Sequence, residues 1–277
     1  MTKEWPLSDY YWYSVALGLR AVIKGHLIPG LKRFFNPVSF QRCVEIPWTL
    51  RALDPQPGDV ILDVGSPKLL SLYLVDRGKC RVVTVDLSSQ FIREYNALLT
   101  AQGLISLWNS RYIAMVQDGR ALSYKDVSFD KIYSVSVVEH IPGQGDTQAI
   151  CEMARVLRPG GLVALTVPYT RHYREEWVKQ TVYERKEMGS EAVFYQRAYD
   201  FAMLQERLLT PSHLSIADCA FYSTYDLWDK GYMYLPLPLR ALFAPLQPLL
   251  AQVMIKPIRS DEARQDRYNL ACLLLRK

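Results

Sequence analysis

Histidine is scarce, at four residues in 277, and the five cysteines, Cys43, Cys80, Cys151, Cys219 and Cys272, stand far apart. No two of them have the short spacing of a metal clip, and an odd, scattered set gives no disulfide framework; reduced thiols in a cytoplasmic protein are expected. No cluster of histidines and carboxylates has ligand spacing, so no metal is expected. Charge of one sign is not in excess: the formal net charge is +5 with basic and acidic residues interleaved, which argues against a nucleic-acid partner. The opening Met1-Thr-Lys-Glu-Trp-Pro-Leu-Ser-Asp lacks the basic-then-apolar order of a secretory signal. Long hydrophobic runs are missing too. Met233 to Pro257, an apolar stretch, is broken by prolines and by Arg240 and is unfit to span a bilayer.

What remains is a chain that is 49% apolar, without linker or repeat, long enough for one large core. The most informative stretch is Val60-Ile-Leu-Asp-Val-Gly-Ser-Pro67, followed by Val82-Val-Thr-Val-Asp86. A short apolar strand ends in an acid and a glycine, a helix follows, and a second apolar strand ends in Asp86. This is the opening of a nucleotide-binding βαβ unit. The glycine lets backbone approach a ligand, and a carboxylate at the end of the second strand can accept from both hydroxyls of a ribose.

The alternation continues. Strands are predicted near 59–65, 81–86, 112–116, 130–137 and 161–167, with helices near 67–77, from Ser88 or Ser89 to Gly103, and near 146–157. Such alternation implies a parallel sheet covered on both faces, with ligands at the carboxyl ends of its strands. Two further strands are predicted near 214–223 and 267–275. Before the core, Tyr10 to Phe35 reads as one or two amphipathic helices broken at Pro29-Gly30, and Ser39 to Leu53 as a helix that Pro47 must bend or restart. Tyr169 to Gln205 is polar and helical in character. The chain therefore divides into an N-terminal helical extension (1–38), a core (39–168), a lid or substrate insertion (169–210) and C-terminal strands (211–277) carrying an apolar insertion (226–262).

In this order of elements the chain resembles the class I S-adenosylmethionine-dependent methyltransferases. The glycine-rich first motif of that family matches Leu62-Asp-Val-Gly65-Ser-Pro-Lys-Leu69, its ribose-binding acid matches Asp86, and its adenine-side motif matches Gln117-Asp-Gly-Arg-Ala-Leu122. Its fourth and fifth strands match Phe129 to Ile141 and Arg155 to Val167. The resemblance implies a Rossmann-like, seven-stranded, mostly parallel sheet with helices on both faces and an antiparallel last strand. It implies S-adenosylmethionine as cofactor, with Asp63 toward its ammonium, Gly65, Ser66 and Pro67 along its amino-acid portion, and Asp86 on the ribose. Leu87 would press on the adenine, Asp118 and Gly119 would form the wall beside it, and Val135 and Ser136 would lie under the methionine. One departure stands out: glycines usual two and four residues beyond Gly65 are replaced by Pro67 and Leu69.

For the chemistry, His140, just past the fourth strand, is the first candidate for a general base, needed only if the nucleophile must lose a proton. Tyr169 and His172 are second candidates, on the substrate side. The Asn/Asp-Pro-Pro-aromatic sequence of base- and amide-methylating relatives is absent, since Ser134-Val-Ser-Val-Val stands there; the expected acceptor is a small or lipid-like molecule, free or lipid/glycan-linked. The apolar stretches near both ends suit peripheral membrane contact or a homodimer. Two rivals stay open: a scaffold that kept the fold and lost the ligand, and a nicotinamide-dependent oxidoreductase, disfavoured because the phosphate-cradling glycines are missing.

Overall fold

A computed structural model describes residues 7–103, 106, 110–179, 192–225, 239 and 242–277. The first strand, β1 (Val60–Val64), is buried on both faces, as an apolar VILDV run at the middle of a parallel sheet should be. Around it lie β2 (Arg81–Asp86), β3 (Tyr112–Val116), β4 (Phe129–Val135) and β5 (Leu157–Tyr169), then β8 (Ser215–Thr224), β9 (Ile255–Ile258) and β10 (Asn269–Arg276). The order across the sheet is β3-β2-β1-β4-β5-β10-β8-β9. The first five are mutually parallel, whereas β10 runs antiparallel to both β5 and β8.

The sheet has eight strands, not the expected seven. The eighth, β9, comes from the apolar insertion and pairs antiparallel with β8 from Phe221↔Ile258 to Thr224↔Ile255. Its Pro257 cannot donate to a ladder, which suits an outermost position. A second difference lies in the stretch expected to be helical: Arg174–Val178 (β6) and Val193–Ala198 (β7) form a separate antiparallel pair. Exposure along β6 alternates residue by residue, and Trp177 meets Phe194 edge to face across the pair. The charges between the aromatics thus serve a strand period, not a helical one. Tyr183 and the rest of 180–191, and part of the insertion (226–238, 240 and 241), lie outside the described residues.

Helices α1 (Leu7–Ile23), α2 (Leu27–Phe35), α3 (Arg42–Leu53), α4 (Lys68–Tyr73), α5 (Ser89–Gln102) and α6 (Gly145–Val156) precede the short α7 (Phe201–Leu204) and α8 (Thr210–Ser212), and α9 (Gln247–Met254). Ser88 caps α5 by accepting from the Phe91 N–H, and Gly103, at φ 77°, ends it. Pro47 does not restart α3, which runs through it: Ile46, Trp48, Thr49 and Leu50 are all buried, and that packing outweighs one lost hydrogen bond. The break between α1 and α2 falls at residues 24–26, with Pro29 tolerated in the first turn of α2.

Side chains alternate between two cores. Ile61, Val82, Tyr133 and Ala164 face α1, α3 and α5, while Leu62, Val85, Ile132 and Leu165 face α6 and α7. Helices α1 and α2 leave Trp12, Ile23, Ile28 and Phe35 exposed. No helix among the described residues is long and apolar enough to cross a membrane. Where the two helices cross, a Cβ on Gly18 would lie 2.7 Å from the Phe34 N and 2.8 Å from the Gly30 O. Both are backbone atoms and cannot swing aside. Alanine gains about 1 kcal/mol in helix propensity, but forcing the crossing apart costs about 1–3 kcal/mol. Gly18→Ala is therefore expected to lower the melting temperature; an unchanged or higher value would contradict the close crossing.

Candidate cofactor site

The carboxyl ends of β1, β2 and β4 bring together most of the residues singled out above. Asp63 is fully buried at the end of β1. Its Oδ1 accepts from the Ser66 N–H at 3.0 Å, and its Oδ2 from Ser71 Oγ at 2.6 Å and Thr84 Oγ1 at 3.0 Å. Burial pushes its carboxyl above the usual range, against the pull of Lys68 and these bonds. Gly65 follows at φ 71°, and a Cβ there would meet Val137 at 2.6 Å, so only glycine lets the loop pass under the end of β4. Ser66 Oγ accepts from the Val135 N–H at 2.8 Å, tying the same loop to β4.

Asp86 ends β2 with one oxygen accepting from the Ser88 N–H at 2.9 Å. The other meets the Lys68 ammonium at 2.9 Å. Lys68, first residue of α4 after the capping Pro67, folds back over the loop, donates to the Ser66 carbonyl at 2.7 Å, and approaches Asp63 at 3.9 Å. Its side chain is only 3% exposed, and that of Asp86 only 14%. Leu87, the next residue, is by contrast 64% exposed. Beyond β3, Asp118 is forked by Arg120, whose hydrogen bonds hold its carboxyl below the usual carboxylate range. Gly119 lies beside them, where a Cβ would sit 3.0 Å from Val64.

On the far side of the loop, Glu45 from α3 is fully buried and binds Arg42, Ser136 and Thr166, the last at 2.8 Å. Ser136 holds a left-handed backbone, φ 50°, at the end of β4. Glu139 is buried as well, and its Oε2 has no hydrogen-bond partner among the described residues. Desolvation, with Glu45 adding to it, pushes its carboxyl up to about 8. His140 beside it sends Nδ1 to the Tyr195 carbonyl at 2.8 Å. A carbonyl can only accept, so Nδ1 carries the proton and Nε2 is the basic nitrogen of the neutral ring. Arg197, wholly buried, donates to the Ile141 and Gly143 carbonyls and fixes the loop that follows.

Tyr169 is not at this site: it is buried in the core, its ring 4.7 Å from Phe221. His172 is exposed, and its backbone is bound at both ends by Gln265. Between the N-terminal helices and Pro67 runs a cleft of about 200 Å³, lined by Tyr10, Asn36, Ser39 and the cations Lys32, Arg33 and Arg42. No group of three or more His, Cys, Asp or Glu among the described residues is arranged to hold a metal.

Comparison with known proteins agrees with this geometry. The family described as "Methyltransferase domain" matches residues 62–165, from the Asp63 loop through β5. Over that span the chain is similar to a methyltransferase domain. Methyltransferase GfsG of Streptomyces halstedii is 31% identical over 114 residues, which cover 41% of this chain and 39% of that protein. Among solved structures, the Burkholderia thailandensis 1,6-didemethyltoxoflavin-N1-methyltransferase with bound S-adenosylhomocysteine is 16% identical, with a TM-score of 0.52 over 95% of this chain and 88% of that one. The [4+2]-cyclase SpnF is 17% identical, with a TM-score of 0.54 over 100% of this chain and 97% of that one. At such identities the likeness is one of fold.

Three features of this fold could hold S-adenosylmethionine: the Asp86 carboxylate at the end of β2, the uncovered apolar side chain of Leu87 beside it, and the positive charge of the basic cleft. The backbone donors of the Gly65 loop are engaged by the chain itself. The Gly65 N–H donates to the Val85 carbonyl and the Ser66 N–H to Asp63, and Pro67 has no N–H. Asp63 is fully buried, with both oxygens accepting from Ser66, Ser71 and Thr84. Sequence reading missed Lys68, Arg42 and Glu45. Glu45, an acid inside the apolar run Cys43 to Leu50, was the one visible sign of a buried charge.

Glu139 gives a pH test. Its carboxyl ordinarily ionises near 4.5 and here near 8. Between those values the folded protein holds a proton that the unfolded chain has lost, so this residue weakens stability as pH rises through the window. The melting temperature of Glu139→Gln, relative to wild type, should therefore climb between about pH 5 and about pH 8. A difference that stays flat across the window would contradict the buried, neutral carboxyl.

Proposed function

We propose that this protein binds S-adenosylmethionine across the ends of β1, β2 and β3 and transfers its methyl group to a small-molecule acceptor. The observation that carries the reading is Asp86: a carboxylate at the end of the second strand, beside the Gly65 loop and followed by the exposed Leu87. In this reading Asp86 orients the ribose, Leu87 covers one face of the adenine, and Asp118, held ionised by Arg120, accepts from the adenine amine. The cleft of Lys32, Arg33 and Arg42 takes the carboxylate end. When bound, the cofactor supplies a sulfonium-activated methyl, so the protein's task is to hold a nucleophile in line with it. Where that nucleophile is a hydroxyl, Nε2 of His140 takes the proton, its partner nitrogen being fixed by the Tyr195 carbonyl.

A fold shared with a [4+2]-cyclase does not by itself dictate methyl transfer, because reactions are grafted on folds. Cofactor binding is the first point to settle. Calorimetric titration with S-adenosylhomocysteine should give micromolar affinity, weakened about tenfold or more, or 1.4 kcal/mol, by Asp86→Ala. No heat and no thermal shift at millimolar ligand would sink the reading and leave a scaffold.

A further inference from the structure

Lys68 opens α4 directly after the Gly65 loop, and its ammonium is buried among the residues of the site. It lies 2.9 Å from the Asp86 oxygen that Ser88 does not use and 2.7 Å from the Ser66 carbonyl. Both oxygens of Asp86 are thus engaged by the chain itself, in a carboxylate with 14% of its side chain exposed. A ribose that binds through two hydroxyls must reach both oxygens, and little of that carboxylate faces solvent. We propose that Lys68 is an internal competitor for the ribose: it latches Asp86 in the free protein, and the cofactor docks by displacing it. The inference rests on the cofactor reading above and deepens it, naming the residue that sets how tightly the site takes a nucleoside.

The chemistry favours a latch over a ligand. The ammonium has one further partner in reach, Asp63 at 3.9 Å, so withdrawal from Asp86 leaves it beside a second carboxylate and the Ser66 carbonyl. Unlatching is therefore a short swing of a flexible side chain between two acids, with no uncompensated buried charge at its end. A lysine acting as cofactor ligand would be expected to point away from the ribose carboxylate, toward the anionic end of the cofactor; this one binds the group the ribose needs.

The test is a double-mutant cycle read by calorimetry with S-adenosylhomocysteine on the full chain: wild type, Lys68→Met, Asp86→Asn and the double variant. Lys68→Met should bind about tenfold tighter than wild type, and Asp86→Asn should cost more in the Lys68→Met background than in the wild type, since only there is the carboxylate unlatched. Thermal melts identify any variant that fails to fold, and Lys68→Gln, which keeps hydrogen-bond donors and loses the charge, then takes the place of Lys68→Met with the same expected direction. If wild type binds and both Lys68 variants bind equally or more weakly, the latch is overturned while the cofactor reading stands. If none of the proteins takes up ligand at millimolar concentration, both are overturned.

Discussion

The carboxylate of Asp63 is the constraint on which the rest of the site depends. A buried carboxyl costs free energy of desolvation unless its oxygens are hydrogen-bonded. Ser66, Ser71 and Thr84 are the donors, and they come from the loop after β1, from α4 and from β2. Each such bond contributes about 1 kcal/mol, so three of them recover part of that cost. In doing so they set the path of the Gly65 loop, the start of α4 and its distance from β2. Tyr133 joins from β4 through its bond to Ser71 at 2.8 Å. The geometry around Asp86 follows from this, because Lys68 is carried into place by the turn that Asp63 holds.

A second buried acid performs the same task on the other side of the loop. Glu45 gathers Arg42, Ser136 and Thr166, and so fastens α3 to the ends of β4 and β5. Between these two anchors pass Gly65 and Val137, in contact too close for any side chain larger than hydrogen. The floor of the site is therefore rigid. Around it lie the paired β6 and β7 and the helices α1 and α2 with their basic cleft.

The core was legible because buried parallel strands and their crossover helices leave strong patterns. Val60–Val64, Arg81–Asp86, Tyr112–Val116 and Ser89–Gln102 fall within a residue or two of where periodicity and capping put them. Pattern failed where tertiary packing decides. Pro47 reads as a helix breaker, yet α3 continues because its flanks are buried. The charged, aromatic stretch after β5 reads as a helix, yet its strands pair with each other. At the site, Asp86, Asp118 and Gly65 were visible as types at the right strand ends. What occupies them was not, since the reach of Lys68 back to Asp86 depends on a fold-back that no spacing encodes.

The most direct measurement is a crystal structure of the protein soaked with S-adenosylhomocysteine. The account predicts both ribose hydroxyls within hydrogen-bond distance of Asp86, with the Lys68 ammonium withdrawn from its 2.9 Å contact toward Asp63. Ligand bound elsewhere, or bound with the Lys68 to Asp86 contact unchanged, would contradict it.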